Sequence, residues 1–155
     1  SRVFAHELVR HRAGVAISQE SMRFVRKDEL AMVLPGGDVS ILESAATEIE
    51  DMYEEIQGYM DWDRTFAEKK VATSRLRRIL PEGIATTIGW SANLRTLRHA
   101  IETRTSAHAE EEIRDVFWQV YQKMSDRFPN VFADASTSAV DGSSIPEVCF
   151  ATKKV

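Results

Sequence analysis

Arg10-His11-Arg12 sets two guanidiniums and an imidazole on three consecutive residues. Like charges this close repel, so a folded chain keeps them together only in water or where anions neutralise them. An arginine fork matches phosphate geometry. Ser hydroxyls and free backbone N–H groups follow at Ser18-Gln19-Glu20-Ser21, past Gly14, where the backbone can bend close to a ligand. The competing reading is a solvated basic turn at the end of an edge strand. Charge balance bears on the choice: 20 Lys and Arg against 24 Asp and Glu give a net charge of −4. A general nucleic-acid binder carries a basic surface, so cations clustered within an acidic whole point instead to a small anionic ligand.

At 155 residues, 43% hydrophobic and 28% charged, the chain is expected to form a single globular domain over residues 1–155. No apolar run approaches the roughly 18 residues of a membrane-spanning helix, and no signal-peptide pattern opens the chain. Cys149 is the only cysteine, which rules out an intrachain disulfide and makes a reducing cytoplasm the expected location. One cysteine and four scattered histidines give no zinc spacing, so no metal is expected. The start at Ser1, without Met, suggests a fragment or processed product.

In chain order, Val3–Val9 reads as a short strand, and Phe24-Val25 and Leu30–Leu34 as extended segments closed by Pro35-Gly36-Gly37-Asp38. Ser40 is the expected cap of a helix whose apolar positions Ile41, Ala45, Ile49, Met52, Tyr53 and Ile56 keep the helical period, with Glu43, Glu48, Glu54 and Glu55 on the solvated face. Arg64–Leu80 reads as a second helix stopped by Pro81, with Arg75, Arg77 and Arg78 in its last turns, where cations complement the helix dipole. Ile84–Ala92 is extended, and Asn93 opens a helix with Leu94, Leu97 and Ile101 inward and Arg95 and His99 outward. Arg104 falls on the apolar side of that helix and must find an anion, either a buried ion pair or a ligand. Ser106 is the expected cap of a final helix with Ile113, Phe117, Val120 and Met124 inward and His108 in its first turn. Ala135–Ser144, rich in Ser, Ala and Gly, reads as a loop before a strand-like Val148-Cys149-Phe150.

Three stretches together resemble the flavin-dependent thymidylate synthases. These are Arg10-His11-Arg12 followed by Ser21-x-Arg23-Phe24; Arg77-x-x-Leu80-Pro81; and Asn93-x-Arg95 with Arg98-His99, Arg104 and Ser106-x-His108-Ala109. The resemblance implies an α+β fold, an antiparallel or mixed sheet packed with long helices. It implies reductive methylation of dUMP to dTMP, with FAD as cofactor, methylenetetrahydrofolate as carbon donor and NADPH as reductant, in a homotetramer with shared active sites. Carried over by position, Glu7, Arg10, Gln19, Glu20, Ser21, Met22, Arg23, Arg77 and Arg104 would bind dUMP. Arg10, His11, Arg12, Gln19, Asn93, Arg95, His99 and His108 would bind FAD. Arg104 would be the catalytic residue, favouring ionisation of the uracil ring, because a cation beside a ring nitrogen lowers its pKa. Three departures stand out: the spacer from Arg12 to Ser21 is one residue longer than the commoner family pattern, His99 stands where Asn is frequent, and only nine residues precede Arg10, where the resemblance implies a substantial amino-terminal segment with further flavin contacts, so the fold is expected to be amino-terminally short. No adjacent His and Asp activate Ser21, so phosphate binding is expected there rather than nucleophilic attack. A non-catalytic nucleotide-binding or assembly domain of the same descent is the alternative reading.

Overall fold

A computed structural model describes residues 1–21, 31–36 and 38–152. The chain divides into two compact units, one of residues 1–5 with 18–89, the other of residues 6–17 with 90–152.

In the first unit the chain is tied near Ile84 by backbone hydrogen bonds. Arg2 N–H donates to Ile84 C=O (3.1 Å), Val33 N–H to Gly83 C=O (2.8 Å) and Ala85 N–H to Ala31 C=O (2.7 Å). Helix α2 (Ser40–Gly58) has the expected period, burying Ala46 and Tyr53. Its cap differs from expectation: Ser40 is the first helical residue, and the Asp38 carboxylate accepts from its N–H at 3.4 Å. Helix α3 (Phe66–Leu76) opens on a capping box that the sequence carries as Thr65-x-x-Glu68. The Thr65 hydroxyl accepts from Glu68 N–H while the Glu68 carboxylate accepts from the Thr65 hydroxyl (2.6 Å) and N–H (3.1 Å), which lowers the Glu68 pKa. The single helix expected over Arg64–Leu80 is shorter. α3 stops at Leu76, and a 3-10 turn, Arg77–Ile79, leads to an extended Leu80. Pro81 excludes the helical conformation from the residue before it, so the regular ladder closes early. Tyr53, Leu76, Leu80 and Ile84 form this unit's core.

In the second unit, helix α4 (Leu94–Thr105), which buries Leu97, Ala100 and Ile101, packs on helix α5 (Glu111–Arg127), which buries Ile113 and Phe117. Asn93 caps α4 as expected, its side-chain oxygen accepting from Thr96 N–H at 2.9 Å. The cap of α5 is Glu110, whose carboxylate accepts from Ile113 N–H, rather than Ser106, so His108 lies in the preceding turn and not in the helix. The expected loop at Ala135–Ser144 is instead most of a β-hairpin. Strands β3 (Ala135–Val140) and β4 (Ser143–Phe150) pair antiparallel, Ala135 opposite Phe150 and Val140 opposite Ser143, around Asp141-Gly142. Gly142 has φ +75°, a backbone conformation glycine adopts without steric cost. The buried Val148 and Phe150 of β4 complete the core, and aromatic rings run from Trp118 through Tyr121 and Phe132 to Phe150.

Two arginines fasten these elements. Arg98 grips Asp134 through two parallel bonds (2.8 and 2.9 Å), donates to the Val131 carbonyl and lies 4.0 Å over the Phe150 ring. That pairing, with the Thr152 N–H, holds the Asp134 carboxyl well below the usual carboxylate range. Buried Arg114 has no carboxylate partner among the described residues. It donates to the carbonyls of Thr105 (3.4 Å) and Ile145 (2.6 Å) and to the Ser143 hydroxyl (3.2 Å), joining the end of α4 to the hairpin.

The remaining strands, β1 (Val15–Gln19) and β2 (Ile88–Ala92), form a second two-stranded sheet. Hydrogen bonds from Glu20 N–H to Thr87 C=O (2.8 Å) and from Asn93 N–H to Gly14 C=O (3.0 Å) set it antiparallel. The described residues thus combine helices with small antiparallel sheets, the α+β class that the sequence led us to expect. None of their helices is long and apolar enough to cross a membrane. Phe24-Val25 lies outside the described residues.

Candidate functional site

The segment expected as a strand over Val3–Val9 is instead helix α1 (Arg2–Leu8). Its polar pair His6-Glu7 breaks strand alternation, whereas Ala5 and Leu8, three apart, are both buried, as a helix face requires. The Ser1 hydroxyl accepts from Phe4 N–H at 3.2 Å in the first turn. This change of element is what builds the site. A helix ending at Leu8 leaves its last carbonyls without intrahelical donors and gathers Glu7, Arg10 and His11 around its C-terminal end.

Arg104 of α4 meets that end. Its guanidinium donates from Nη1 to the Glu7 carboxylate, from Nη2 to the Glu7 carbonyl (2.6 Å) and from Nε to His11 Nε2 (2.8 Å). Arg104 is only 8% exposed and His11 9%. Of the two alternatives left open for Arg104, the structure contains the buried ion pair. It does not use up the residue: a guanidinium has five N–H donors, and three are engaged among the described residues. Arg10, on the exposed side, reaches the same Glu7 carboxylate at 3.1 Å.

His11 is pushed down from its ordinary value to about 4 by burial first, then by the positive Arg104 and by His99, with Glu7 opposing. The imidazole is therefore neutral at physiological pH, as its contact with a donor-only guanidinium requires. The His99 ring lies edge-on to it, 5.9 Å between centroids.

Around this buried centre the cations face outward. Arg12 and Arg95 are exposed and have no ion-pair partner among the described residues. Asn93 already serves as the α4 cap, and Gly14, at φ +67°, lies so close that a Cβ there would sit 1.9 Å from Asn93 Nδ2. The glycine thereby fixes both the turn and the asparagine, and the Thr96 hydroxyl donates to Ala13 C=O at 2.6 Å to secure it. The structure thus brings together Glu7, Arg10, His11, His99 and Arg104, with Arg12, Asn93 and Arg95 on the same two segments. His108 lies exposed past the end of α4. Gln19, Glu20, Ser21 and Arg77 belong to the other unit, Gln19 and Arg77 exposed, Glu20 and Ser21 half-buried. Met22 and Arg23 lie outside the described residues. Arg114 and Asp134, which hold α4 to the hairpin, were assigned no role in the sequence reading; their partners lie far along the chain, and no local pattern marks them.

A guanidinium seated between a carboxylate and a neutral imidazole, with the exposed Arg12 and Arg95 unpaired among the described residues, gives these α+β elements a set of cations of the kind that matches an anion. The profile of the family described as "Thymidylate synthase complementing protein" matches residues 1–130. The chain belongs to that family. It is 33% identical to the flavin-dependent thymidylate synthase of Corynebacterium diphtheriae, over 94% of this chain and 62% of that protein. It is 36% identical to that of Corynebacterium glutamicum, over 92% and 62%. With the Mycobacterium avium enzyme, identity is 32% over 99% of this chain and 66% of the relative. The chain thus spans slightly under two thirds of the length of these curated relatives. In fold it is similar to the flavin-dependent thymidylate synthase of Helicobacter pylori complexed with FAD and dUMP, with TM-score 0.64 and 19% identity over 86% of this chain and 68% of that one. A UMP/dUMP methylase from Streptomyces cacaoi gives TM-score 0.60 and 20% identity over 84% and 68%.

Proposed function

We propose that this protein is a flavin-dependent thymidylate synthase, converting dUMP to dTMP with FAD, methylenetetrahydrofolate and NADPH. The observation that carries the proposal is Arg104, buried against Glu7 and His11 with two N–H donors to spare among the described residues. Those donors suit a uracil ring that gains negative charge as it ionises: a fixed, buried cation stabilises that charge and lowers the ring-nitrogen pKa. Glu7 and His11 hold the guanidinium so that little reorganisation is needed when the charge develops.

The donor set also fits the cofactor. Arg12 and Arg95, exposed and unpaired among the described residues, with Arg10 and His99 beside them, offer charge and hydrogen bonds to the phosphates and polar ring edge of FAD. When bound, the flavin would supply the hydride chemistry that side chains lack. Asn93 would contribute through Nδ2, since its oxygen is committed to the α4 cap. His108 completes the proposed flavin set. Gln19, Glu20, Ser21, Met22, Arg23 and Arg77 are proposed to hold the phosphate and base of dUMP. Cys149, exposed on β4, has no part in the reaction. We place the enzyme in the cytoplasm as a homotetramer in which subunits share active sites.

The test is reconstitution. Protein mixed with FAD and passed through gel filtration is expected to retain flavin absorbance, to be bleached by NADPH, and to form dTMP once dUMP and methylenetetrahydrofolate are added. Protein that stays colourless yet binds dUMP would replace the enzyme with a nucleotide-binding domain of the same family.

A further inference from the structure

We propose that His11 is a positioning residue for Arg104: as a neutral imidazole protonated on Nδ1, it accepts the Arg104 Nε–H and fixes the plane of the guanidinium. The inference rests on the functional reading above and changes the role of His11 within it, from a contact on the flavin to a support behind the nucleotide side.

The geometry leads there in steps. Arginine only donates, so a contact of 2.8 Å from Nε to His11 Nε2 requires a lone pair on Nε2, which puts the imidazole hydrogen on Nδ1. Glu7 takes the two terminal nitrogens, one with its carboxylate and one with its carbonyl. With Glu7 alone the guanidinium could pivot about that edge; a third bond at Nε, from another residue, fixes the plane. His11 is itself held, by burial and by its N–H bond to Leu8 C=O at 3.1 Å. With 9% of its surface exposed, it offers a ligand little, whereas Arg12 beside it is exposed.

Among the described residues, the charged and titratable groups facing His11 are Arg104 and His99 from α4 and Glu7 from α1. A proton added to Nε2 would stand against the guanidinium and replace the hydrogen bond with repulsion between like charges. The support is therefore acid-sensitive, and the depression of the His11 pKa to about 4 keeps it intact across the neutral range.

The experiment has two arms on the full chain. Imidazole 15N NMR of the ligand-free protein is expected to show His11 Nε2 unprotonated and the ring neutral down to about pH 5, with the preference for the Nδ1–H tautomer lost in Arg104→Met. Titration with dUMP and with FAD is then compared among wild type, His11→Phe and His11→Gln, whose amide oxygen can accept in place of Nε2. His11→Phe should weaken dUMP binding about tenfold, the scale of one charge-assisted hydrogen bond, and leave FAD binding within about twofold. His11→Gln should recover most of the loss. A proton on Nε2, or a loss of FAD affinity in His11→Phe as large as the loss for dUMP, would overturn the proposal. Circular dichroism of both variants separates unfolding from repositioning, and His11→Gln decides if His11→Phe does not fold. Wild type that binds no dUMP would remove the functional reading, with the NMR arm still deciding whether His11 orients Arg104.

Discussion

The two compact units spend their apolar residues differently. The unit of residues 1–5 and 18–89 buries a small cluster, Tyr53, Leu76, Leu80 and Ile84, and leaves large apolar side chains in water, Ile41 at 83% exposure, Tyr59 and Phe66 among them. The unit of residues 6–17 and 90–152 buries two fused layers, α4 on α5 and on the hairpin, and admits three arginines, Arg98, Arg104 and Arg114, each met by specific acceptors. Guanidiniums in an interior are held by directional bonds to particular acceptors, so the second unit depends on geometry and the first on bulk apolar contact.

Substitutions can break that contrast. The largest effect is expected for Phe117→Ala: Phe117 is 2% exposed and meets the Trp90 ring edge-on, so its removal should cost about 3–5 kcal/mol, read from chemical denaturation. Acidification comes next. Because the folded-state pKa of His11 lies below the unfolded value, the unfolded chain binds more protons between about pH 6.5 and about pH 4, and stability falls as pH drops through that window. The share assigned to His11 is up to roughly 3 kcal/mol, obtained as the difference in denaturation midpoints between wild type and His11→Gln across the window. Glu7→Ala should cost about 2–3 kcal/mol, less than a fully buried pair because the Glu7 side chain remains 21% exposed, and thermal melts at neutral pH would measure it. Ile41→Ala should change stability by no more than about 0.5 kcal/mol, and a larger loss in the same melts would show that the first unit depends on its outward apolar face.

The legibility of the chain follows the same division. Helix α4 was readable because local signals agree: a capping Asn93, then Leu97 and Ile101 at helical spacing, with Arg104 on the same side. The antiparallel register of β3 and β4 was not, because Ser136, Thr137 and Ser138 carry no alternating hydrophobic pattern and only Asp141-Gly142 marks the turn. Helix α1 is ambiguous in sequence because seven residues with mixed apolar positions suit either element; burial of Ala5 and Leu8 on one face goes with the helix. From a strand, Glu7 and His11 have no reason to converge, whereas at a helix end both reach Arg104. Arg114 gave no signal because its acceptors are mostly backbone carbonyls, which every residue possesses.

In the proposed function Arg104 acts on the nucleotide while the exposed cations hold the flavin. The most direct test of that division is flavin absorbance after gel filtration with FAD, measured beside dTMP formation in wild type and Arg104→Ala. We predict that both proteins remain yellow and that only wild type forms dTMP. Loss of flavin from Arg104→Ala that remains folded, or a wild type that never retains it, would contradict the account.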